Sequence, residues 1–329
     1  MGATVPRGEG CAWLKSFFMS PCVQALAIYA LLIAPGLLRG DGSPIHEPAG
    51  KAEATENKRV RVVTRRDGDV THFLVENLER TEVTMTFNFD LGNLKSTVDF
   101  PFTATIPPQQ TKEAFSLSPI NPDEPWNYSF TNYHNLGSSE AIHDDSYRYS
   151  LPYAPGSSFR VSQGYDGKFS HKGSNRFAID WRMPEGTPVH AARGGFVVKV
   201  KDDSDRGGGD VKFDTFNNYV LIRHDDGTLG QYCHLKKGGV KVREGDVVND
   251  GDLLAHSGNT GFSSGPHLHF SVFKTKNGKE RESIPVQFRT AATASITLEA
   301  GQRYIAAPTI QRAESENVAH SQPSATSGG

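Results

Sequence analysis

The stretch Gly265-Pro266-His267-Leu268-His269-Phe270 places two histidines two residues apart in a short apolar run. In a strand, side chains i and i+2 project from the same face, so both imidazoles point one way while Leu268 and Phe270 point into a core. Two histidines on one face of a strand are a typical beginning of a metal site. Taken alone, the pattern also fits surface or packed histidines, and it leaves both residues open as ligands.

Two upstream segments add candidate ligands. Ala178-Ile179-Asp180 is apolar and strand-like, so a carboxylate stands where a sheet is expected to be buried. A buried carboxylate needs a cation or several hydrogen-bond donors, and either a metal or a neighbouring arginine would serve. His171 precedes this segment, and Gln231-Tyr-Cys-His234-Leu235 ends an apolar run in another histidine. Each of these residues alone also fits an ordinary core position.

Short strands with turn residues between them extend over most of the chain. Val83, Met85, Phe87 and Phe89 alternate with polar residues, and similar runs lie between residues 60 and 117. This spacing predicts a small β-sandwich over residues 58–120, followed by an irregular connecting segment at 121–150. From Leu151 strands resume without helical periodicity, and the 33 glycines and 19 prolines favour turns. The sequence predicts an all-β protein with two β domains.

The N-terminal 40 residues have the layout of a secretory signal. Arg7 and Lys15 precede the apolar run at 23–38, which Pro35 and Gly36 interrupt near its end. A signal peptide predicts export to the periplasm, the cell envelope or the extracellular space. An uncleaved membrane anchor and a buried helix of the first domain are the alternatives. Polar residues 41–57 indicate a linker, and residues 301–329 indicate a disordered tail.

Charge and cysteine content restrict the function classes. The net charge of -2 gives no basic excess, which argues against a nucleic-acid partner. Of the three cysteines, Cys233 alone would remain after removal of the N-terminal segment. One thiol forms no internal disulfide, so the core or a bound metal must stabilise the folded chain.

The region from about Leu151 to Pro285 resembles the lysostaphin/LytM-type zinc endopeptidases, a family of peptidoglycan hydrolases. The longest matching block is Ser257-Gly-Asn-Thr-Gly-Phe-Ser-Ser-Gly-Pro-His-Leu-His-Phe270. Shorter blocks match as well: Arg160-Val-Ser-Gln-Gly-Tyr165, His171 to Asp180, Pro184-Glu-Gly-Thr-Pro-Val189, Gln231-Tyr-Cys-His-Leu235 and Gly245-Asp-Val-Val-Asn-Asp-Gly-Asp-Leu-Leu254. The resemblance implies a compact antiparallel β-sheet metallopeptidase domain of the LytM type over residues 151–300.

The resemblance also implies a ligand set. The family's first ligand histidine matches His171, its ligand aspartate matches Asp180, and its last ligand matches His269. Two imidazoles and one carboxylate would give one zinc ion three protein ligands and an open position, the arrangement of a catalytic site. Bound zinc lowers the pKa of water, so a peptide bond of peptidoglycan would be hydrolysed by activated water.

Three further residues match family positions with catalytic roles. His234 and His267 match the two unliganded histidines that handle protons and the transition state. Tyr165 lies where the family often has a tyrosine that supports the oxyanion. The chain has no His-Glu-x-x-His motif and hence no apparent glutamate base, so a histidine is expected to move the proton.

The chain departs from the family pattern at two points. Eight residues, 172–179, separate His171 from Asp180, where many members have three, so His171 must lie in a loop that folds back. Cys233 stands where a small residue is usual. A fortuitous metal ligand is one interpretation, but strand alternation points its side chain away from that of His234, which favours a role in core packing.

Other readings of the sequence predict different functions. Gly261-Phe-Ser263-Ser-Gly265 fits the serine-hydrolase motif, but Pro266 and a strand follow where that motif needs a helix. Residues 245–254 resemble the turn of a lipoyl carrier domain without a lysine to modify. The main alternative is a non-catalytic LytM-type module that activates other wall hydrolases. We expect an active monomeric enzyme whose partners are peptidoglycan peptides, because all five expected ligand and proton-transfer residues are present.

Overall fold

The computed structural model describes residues 28–32 and 59–308 of the 329-residue chain. Most of the predicted signal segment, the predicted linker and residues 309–329 of the predicted tail lie outside the described residues. The beginning of that predicted tail is ordered, because Arg303–Ile305 form a strand that pairs with residues 158–160. One strand, β1 (Ile28–Leu32), falls within the apolar run near the N-terminus. Within the described part of the chain, no helix has the length and apolar character that a membrane crossing requires.

The N-terminal domain is a β-sandwich of two four-stranded sheets. One sheet has the order β1-β8-β4-β6 and the other the order β2-β3-β7-β5. After β1, its strands are β2 (Val60–Asp67), β3 (Val70–Asn77), β4 (Val83–Gly92), β5 (Leu94–Ser96), β6 (Phe102–Ile106), β7 (Gln110–Pro119) and β8 (Asn127–Leu136). The predicted alternation explains the packing, because Val83, Met85 and Phe87 of β4 are all buried in the core between the sheets.

The second domain is built on a nine-stranded, largely antiparallel sheet with the order β17-β13-β15-β16-β20-β11-β10-β23, in which β21 also pairs with β20. The strands of this domain are β9 (Arg148–Ser150), β10 (Ser158–Gln163), β11 (Ile179–Arg182), β12 (Pro188–His190), β13 (Gly195–Lys201), β14 (Gly207–Gly208), β15 (Tyr219–Arg223), β16 (Leu229–Cys233), β17 (Val247–Val248), β18 (Leu253–His256), β19 (Gly261–Phe262), β20 (His267–Thr275), β21 (Arg281–Ser283), β22 (Gln287–Arg289) and β23 (Arg303–Ile305). Two short 3-10 helices are η1 (Gly173–Asn175) and η2 (Val211–Phe216). The prediction of an all-β protein is confirmed.

The long strand β20 separates the two faces of this sheet. Leu268, Phe270 and Val272 are buried in the main core of the domain. The alternate residues His267, His269, Ser271 and Phe273 therefore point to the opposite face, which we call the site face.

The sandwich packs against one end of the site face. Leu136 of β8 packs with Phe273 and Leu229 in a small apolar cluster. An ion pair between Glu82 and Arg223 joins the domains, with Arg223 Nε 2.7 Å from Glu82 Oε2. Phe273 is four residues from His269, or ~13 Å along a strand. The sandwich therefore contacts the same face of the sheet as the histidines, at the far end of β20.

The connecting segment at 121–150 differs from its prediction. Strand β8 pairs with β4 along its length, so the sandwich extends to Leu136 rather than to residue 120. Further on, Tyr149 is fully buried in the main core, on the face away from His269. The sequence did not predict β8 because its buried positions are not all apolar. Besides Tyr128, the polar residues Asn132, His134 and Asn135 are buried in this strand.

Candidate metal centre

Asp180 and His269 are brought together by strand pairing. They are directly opposite each other on the antiparallel strands β11 and β20. Residues in such a pair project from the same face of the sheet. His269 Nδ1 lies 2.9 Å from Asp180 Oδ1, and both side chains are buried. The carboxylate predicted to lie in a buried strand is therefore next to the second histidine of the His-x-His pair.

His171 reaches the same carboxylate from a loop. Its Nε2 lies 3.1 Å from Asp180 Oδ2, and the side chain is completely buried. Its Nδ1 donates a hydrogen bond to the carbonyl of Gly164 at 2.8 Å. Beyond His171 the loop forms η1 and is held on the sheet by a hydrogen bond from the Phe177 amide to Ser283 Oγ. The eight-residue separation from Asp180 is thus accommodated by a loop that folds back.

The donor atoms of His171, Asp180 and His269 all lie within 4.8 Å of one another, and we call these three residues the His/Asp cluster. Because His171 Nδ1 carries the proton that is donated to Gly164, its Nε2 has a lone pair directed elsewhere. This nitrogen is buried and forms no hydrogen bond, although it lies 3.1 Å from Asp180 Oδ2. Two imidazole nitrogens and a carboxylate are the ligand types that zinc takes. These three residues therefore fit a zinc ion.

The electrostatics of the cluster favour a bound cation. Burial alone would raise the pKa of Asp180, but its contacts with His171 and His269 hold that pKa well below the usual range. Burial likewise opposes the charge on His171, whereas the Asp180 carboxylate raises the pKa of this histidine. The carboxylate is therefore ionised inside the protein, between the two imidazoles and the Gln163 amide, whose Nε2 donates to Asp180 Oδ2 at 3.0 Å.

His267 lies beside the cluster rather than in it. Its Nε2 is 3.9 Å from Asp180 Oδ1, and its Nδ1 donates to the carbonyl of Gly265 at 2.8 Å. The donated proton fixes the tautomer and leaves Nε2 free to accept a proton. Ser263 Oγ lies 3.1 Å from His267 Nδ1, but the strand β20 follows this serine instead of the helix that a serine-hydrolase elbow requires.

His234 is held next to the cluster in an unusual backbone conformation. Its φ of 62° is in the left-handed region, which a non-glycine residue rarely adopts. The ring is 4.5 Å from that of His267 and 5.8 Å from that of His269, measured between centroids. Its Nδ1 donates to the Thr260 carbonyl at 2.7 Å. Burial, together with His267 and His269, holds the pKa of His234 well below its ordinary value, so this imidazole is neutral.

The prediction that Cys233 points away from His234 is corrected by the register. Cys233 is directly opposite His269 in the pairing of β16 with β20, so its side chain is on the site face. The left-handed residue His234 turns the chain as β16 ends, and strand alternation no longer applies there. The thiol is buried, but it is not among the three residues whose donor atoms cluster.

Tyr165 is not brought into the cluster. Its hydroxyl donates to the Val286 carbonyl at 2.6 Å and accepts from the Val286 amide at 2.8 Å. Burial raises the pKa of this phenol above its ordinary value. The side chain packs against the main core, so both hydrogen-bonding functions of the hydroxyl serve the fold. An oxyanion role for Tyr165 stays a prediction without support from this geometry.

Gln163 is a site residue that the sequence reasoning did not single out. Its Nε2 donates to Asp180 Oδ2 at 3.0 Å. The residue pairs with Asp180 across a β-bulge between β10 and β11. The available signal was its position inside the matching block at 160–165, just before the glycine that accepts the hydrogen bond from His171.

Comparisons with known proteins find similarity in the region that contains two of the three cluster residues. Residues 174–282 match the model of Peptidase family M23, a segment that includes Asp180 and His269 and begins just after His171. The chain is 34% identical over 124 residues to peptidoglycan DD-endopeptidase ShyA of Vibrio cholerae, covering 36% of this chain and 26% of that protein. It is 34% identical over 120 residues to glycyl-glycine endopeptidase ALE-1 of Staphylococcus capitis, covering 36% and 30%. It is 35% identical over 120 residues to lysostaphin of Staphylococcus simulans, covering 36% and 22%. The chain spans less than a third of the length of each of these relatives, and the predicted resemblance is confirmed for this domain.

Proposed function

We propose that the protein is a zinc-dependent endopeptidase that cleaves peptide bonds of bacterial peptidoglycan, because residues 174–282 match the model of Peptidase family M23. The observation that carries the proposal is the convergence of donor atoms: the buried Nε2 of His171, which forms no hydrogen bond, lies 3.1 Å from Asp180 Oδ2, and His269 Nδ1 lies 2.9 Å from Asp180 Oδ1. The substrate class is proposed from the similarity to ShyA, a peptidoglycan DD-endopeptidase, and the cleavage of an internal peptide bond from the similarity to both ShyA and the glycyl-glycine endopeptidase ALE-1.

In this proposal His171, Asp180 and His269 hold one zinc ion. Zinc bound there supplies Lewis-acid chemistry, which polarises a peptide carbonyl and makes water nucleophilic near neutral pH. The buried carboxylate offsets part of the ion's charge, and strand pairing fixes two of the three ligands before the ion arrives. The side chain of His267, beside the cluster, is more exposed than those of His171, Asp180 and His269, so a substrate would approach from this side.

His234 and His267 then handle the proton. Each donates its Nδ1 proton to a backbone carbonyl, so each presents an unprotonated Nε2. A neutral His234 can accept a proton from the attacking water and return it to the leaving amine. His267, which lies 3.9 Å from Asp180 and closer to solvent, would be the alternative acceptor: after taking the water's proton on Nε2, it would donate a hydrogen bond to the developing oxyanion and then release that proton to the leaving amine.

The proposal places the enzyme outside the cytoplasm, because its substrate is the cell wall. The N-terminal layout typical of a secretory signal is the sequence feature that supports export. We propose a monomer, since the cluster is assembled within one chain from β11, β20 and the loop that follows β10.

Incubation of the purified protein with peptidoglycan tests the proposal. New free amino groups should appear, chelation should abolish their release, and added zinc should restore it. His269→Ala should be inactive, whereas His256→Ala, a change at a histidine that contacts the Gly239 carbonyl outside the cluster, should be active. A protein that binds zinc and peptidoglycan but releases no amino groups would contradict catalysis and favour the non-catalytic module.

A further inference from the structure

The loop that carries His171 is joined to Asp180 by a single amide side chain. Gln163 Oε1 accepts hydrogen bonds from the backbone amides of Phe169 and Ser170, at 3.0 and 3.2 Å. Its Nε2 donates to Ser170 Oγ at 2.8 Å and to Asp180 Oδ2 at 3.0 Å. One side chain thus contacts both the segment immediately before one candidate ligand and the carboxylate of another.

A β-bulge directs this side chain to the site. Val161 of β10 pairs with Trp181, and both are buried in the main core. Simple alternation would send Gln163 to the same core face as Val161. The register shift between Val161 and Gln163 instead sets Gln163 opposite Asp180, on the site face. Bulges are known to re-aim side chains next to active sites.

Two glycines, Gly164 and Gly167, lie next to the Gln163 side chain or its backbone and take part in this arrangement. The carbonyl of Gly164, the next residue, accepts the proton of His171 Nδ1. Gly167 lies so close to Gln163 that a Cβ at this position would overlap Gln163 Cγ. A glycine at 167 is therefore needed for the amide to stay in its observed place.

We propose that Gln163 is a positioning residue that holds His171 and Asp180 in the relative arrangement required to bind the metal. The inference rests on the proposed zinc site. Asp180 Oδ2 faces both Gln163 and His171, so the amide restricts rotation of the carboxylate and directs it toward the imidazole. At the same time Gln163 fixes the backbone just before His171, whereas the hydrogen bond from the Phe177 amide to Ser283 Oγ holds the loop only after it. Such outer contacts typically change metal affinity by about 10–100-fold when removed.

Zinc affinity, measured by competition with a chromophoric chelator, tests the proposal in the full chain. Gln163→Met preserves the length of the side chain while removing both amide functions, and Gln163→Ala removes the side chain. Both should weaken zinc binding by about 10–100-fold. The Co²⁺ absorption spectrum of each variant should also change, because the ligand geometry is altered. Gln302→Ala, a change at an exposed glutamine, is the matched control.

Gly167→Ala tests the same contact between Gln163 and Asp180 without changing Gln163 itself. In the wild-type background it should displace Gln163 and weaken zinc binding similarly. In the Gln163→Ala background the overlap is gone, and the same change should alter affinity by no more than about twofold, the usual limit of additivity. Thermal unfolding of the zinc-free variants measures whether the fold is intact.

The outcomes separate this inference from the proposed function. Unchanged zinc affinity and an unchanged Co²⁺ spectrum in both Gln163 variants would overturn the positioning role, even if the zinc-free proteins were less stable. Equal effects of Gly167→Ala in the two backgrounds would overturn it as well. A wild-type protein that binds no zinc would instead overturn the metal site itself, and the role of Gln163 with it.

Discussion

Asp180 and His269 are cross-strand partners on β11 and β20, and His269 Nδ1 lies 2.9 Å from Asp180 Oδ1. Their proximity is a consequence of backbone pairing in the centre of a nine-stranded sheet. His171 has no such support, because it lies in the loop that follows β10 and depends on side-chain contacts for its position. The three candidate ligands are therefore unequal: two are part of the sheet, and the third is held by the loop.

Zinc should stabilise the folded protein. A ligand that binds only the native state adds ~2.7 kcal/mol to the free energy of unfolding when present at 100 times its Kd. We expect the melting temperature to fall after chelation and to recover when zinc is added, as measured by scanning calorimetry. His269→Ala should show no response to zinc, while His256→Ala should respond like the wild type. Equal melting temperatures with and without zinc would argue against the metal site.

Replacement of His267 by alanine should impair turnover while preserving metal binding. His267 Nε2 lies 3.9 Å from Asp180 Oδ1, and the residue is outside the His/Asp cluster. Loss of a group that moves a proton or stabilises the oxyanion typically lowers kcat by ~10²–10⁴-fold. Steady-state kinetics on a defined muropeptide and a zinc titration would check both parts. Loss of zinc together with activity would show that His267 is a ligand after all.

Tyr165→Phe should reduce stability more than activity. The hydroxyl bridges the amide and the carbonyl of Val286, and its removal leaves two backbone groups without this partner. An unsatisfied buried polar group costs ~1–3 kcal/mol, so the free energy of unfolding in urea should fall by an amount of this order. Zinc affinity and kcat should stay close to the wild-type values. A large fall in kcat without loss of stability would support the oxyanion role predicted from the family.

The folded protein should lose stability in acid partly through His224. This histidine is fully buried, and burial lowers its pKa from 6.5 to about 4, while its Nδ1 donates to the Gly194 carbonyl. The unfolded chain therefore takes up a proton below about pH 6.5, whereas the folded chain does so only near pH 4. The stabilising contribution is complete above pH 6.5 and is lost as the pH falls through this interval.

His224→Asn tests the contribution of this group. Asparagine preserves a donor toward Gly194 but does not titrate. Urea unfolding measured at several pH values between 6.5 and 4 should give a flatter pH dependence for the variant than for the wild type. Buried His134, whose pKa burial also lowers to about 4, will contribute a residual slope to both proteins. Parallel curves would exclude His224 as a source of the acid sensitivity.

Local sequence patterns were sufficient for the all-β class and for the residue types of the site. Alternation in β4 and β20 identified their buried residues, because neighbours i and i+2 on a strand share a face whatever the rest of the chain does. The carboxylate of Asp180 in an apolar run indicated a buried charge that needed a partner. The matching sequence blocks indicated the resemblance to the lysostaphin/LytM-type endopeptidases.

The arrangement of these residues depended on features that such patterns do not contain. A bulge in β10 moves Gln163 to the site face. The left-handed backbone at His234 places its ring beside His267, so that His234 and its neighbour Cys233 both point to the site face. Tyr165 is engaged by Val286, a residue far away in sequence. Bulges, register and loop position are set by packing between segments that are distant in sequence. Local patterns therefore indicate which residues are candidate ligands but do not predict where their side chains come together.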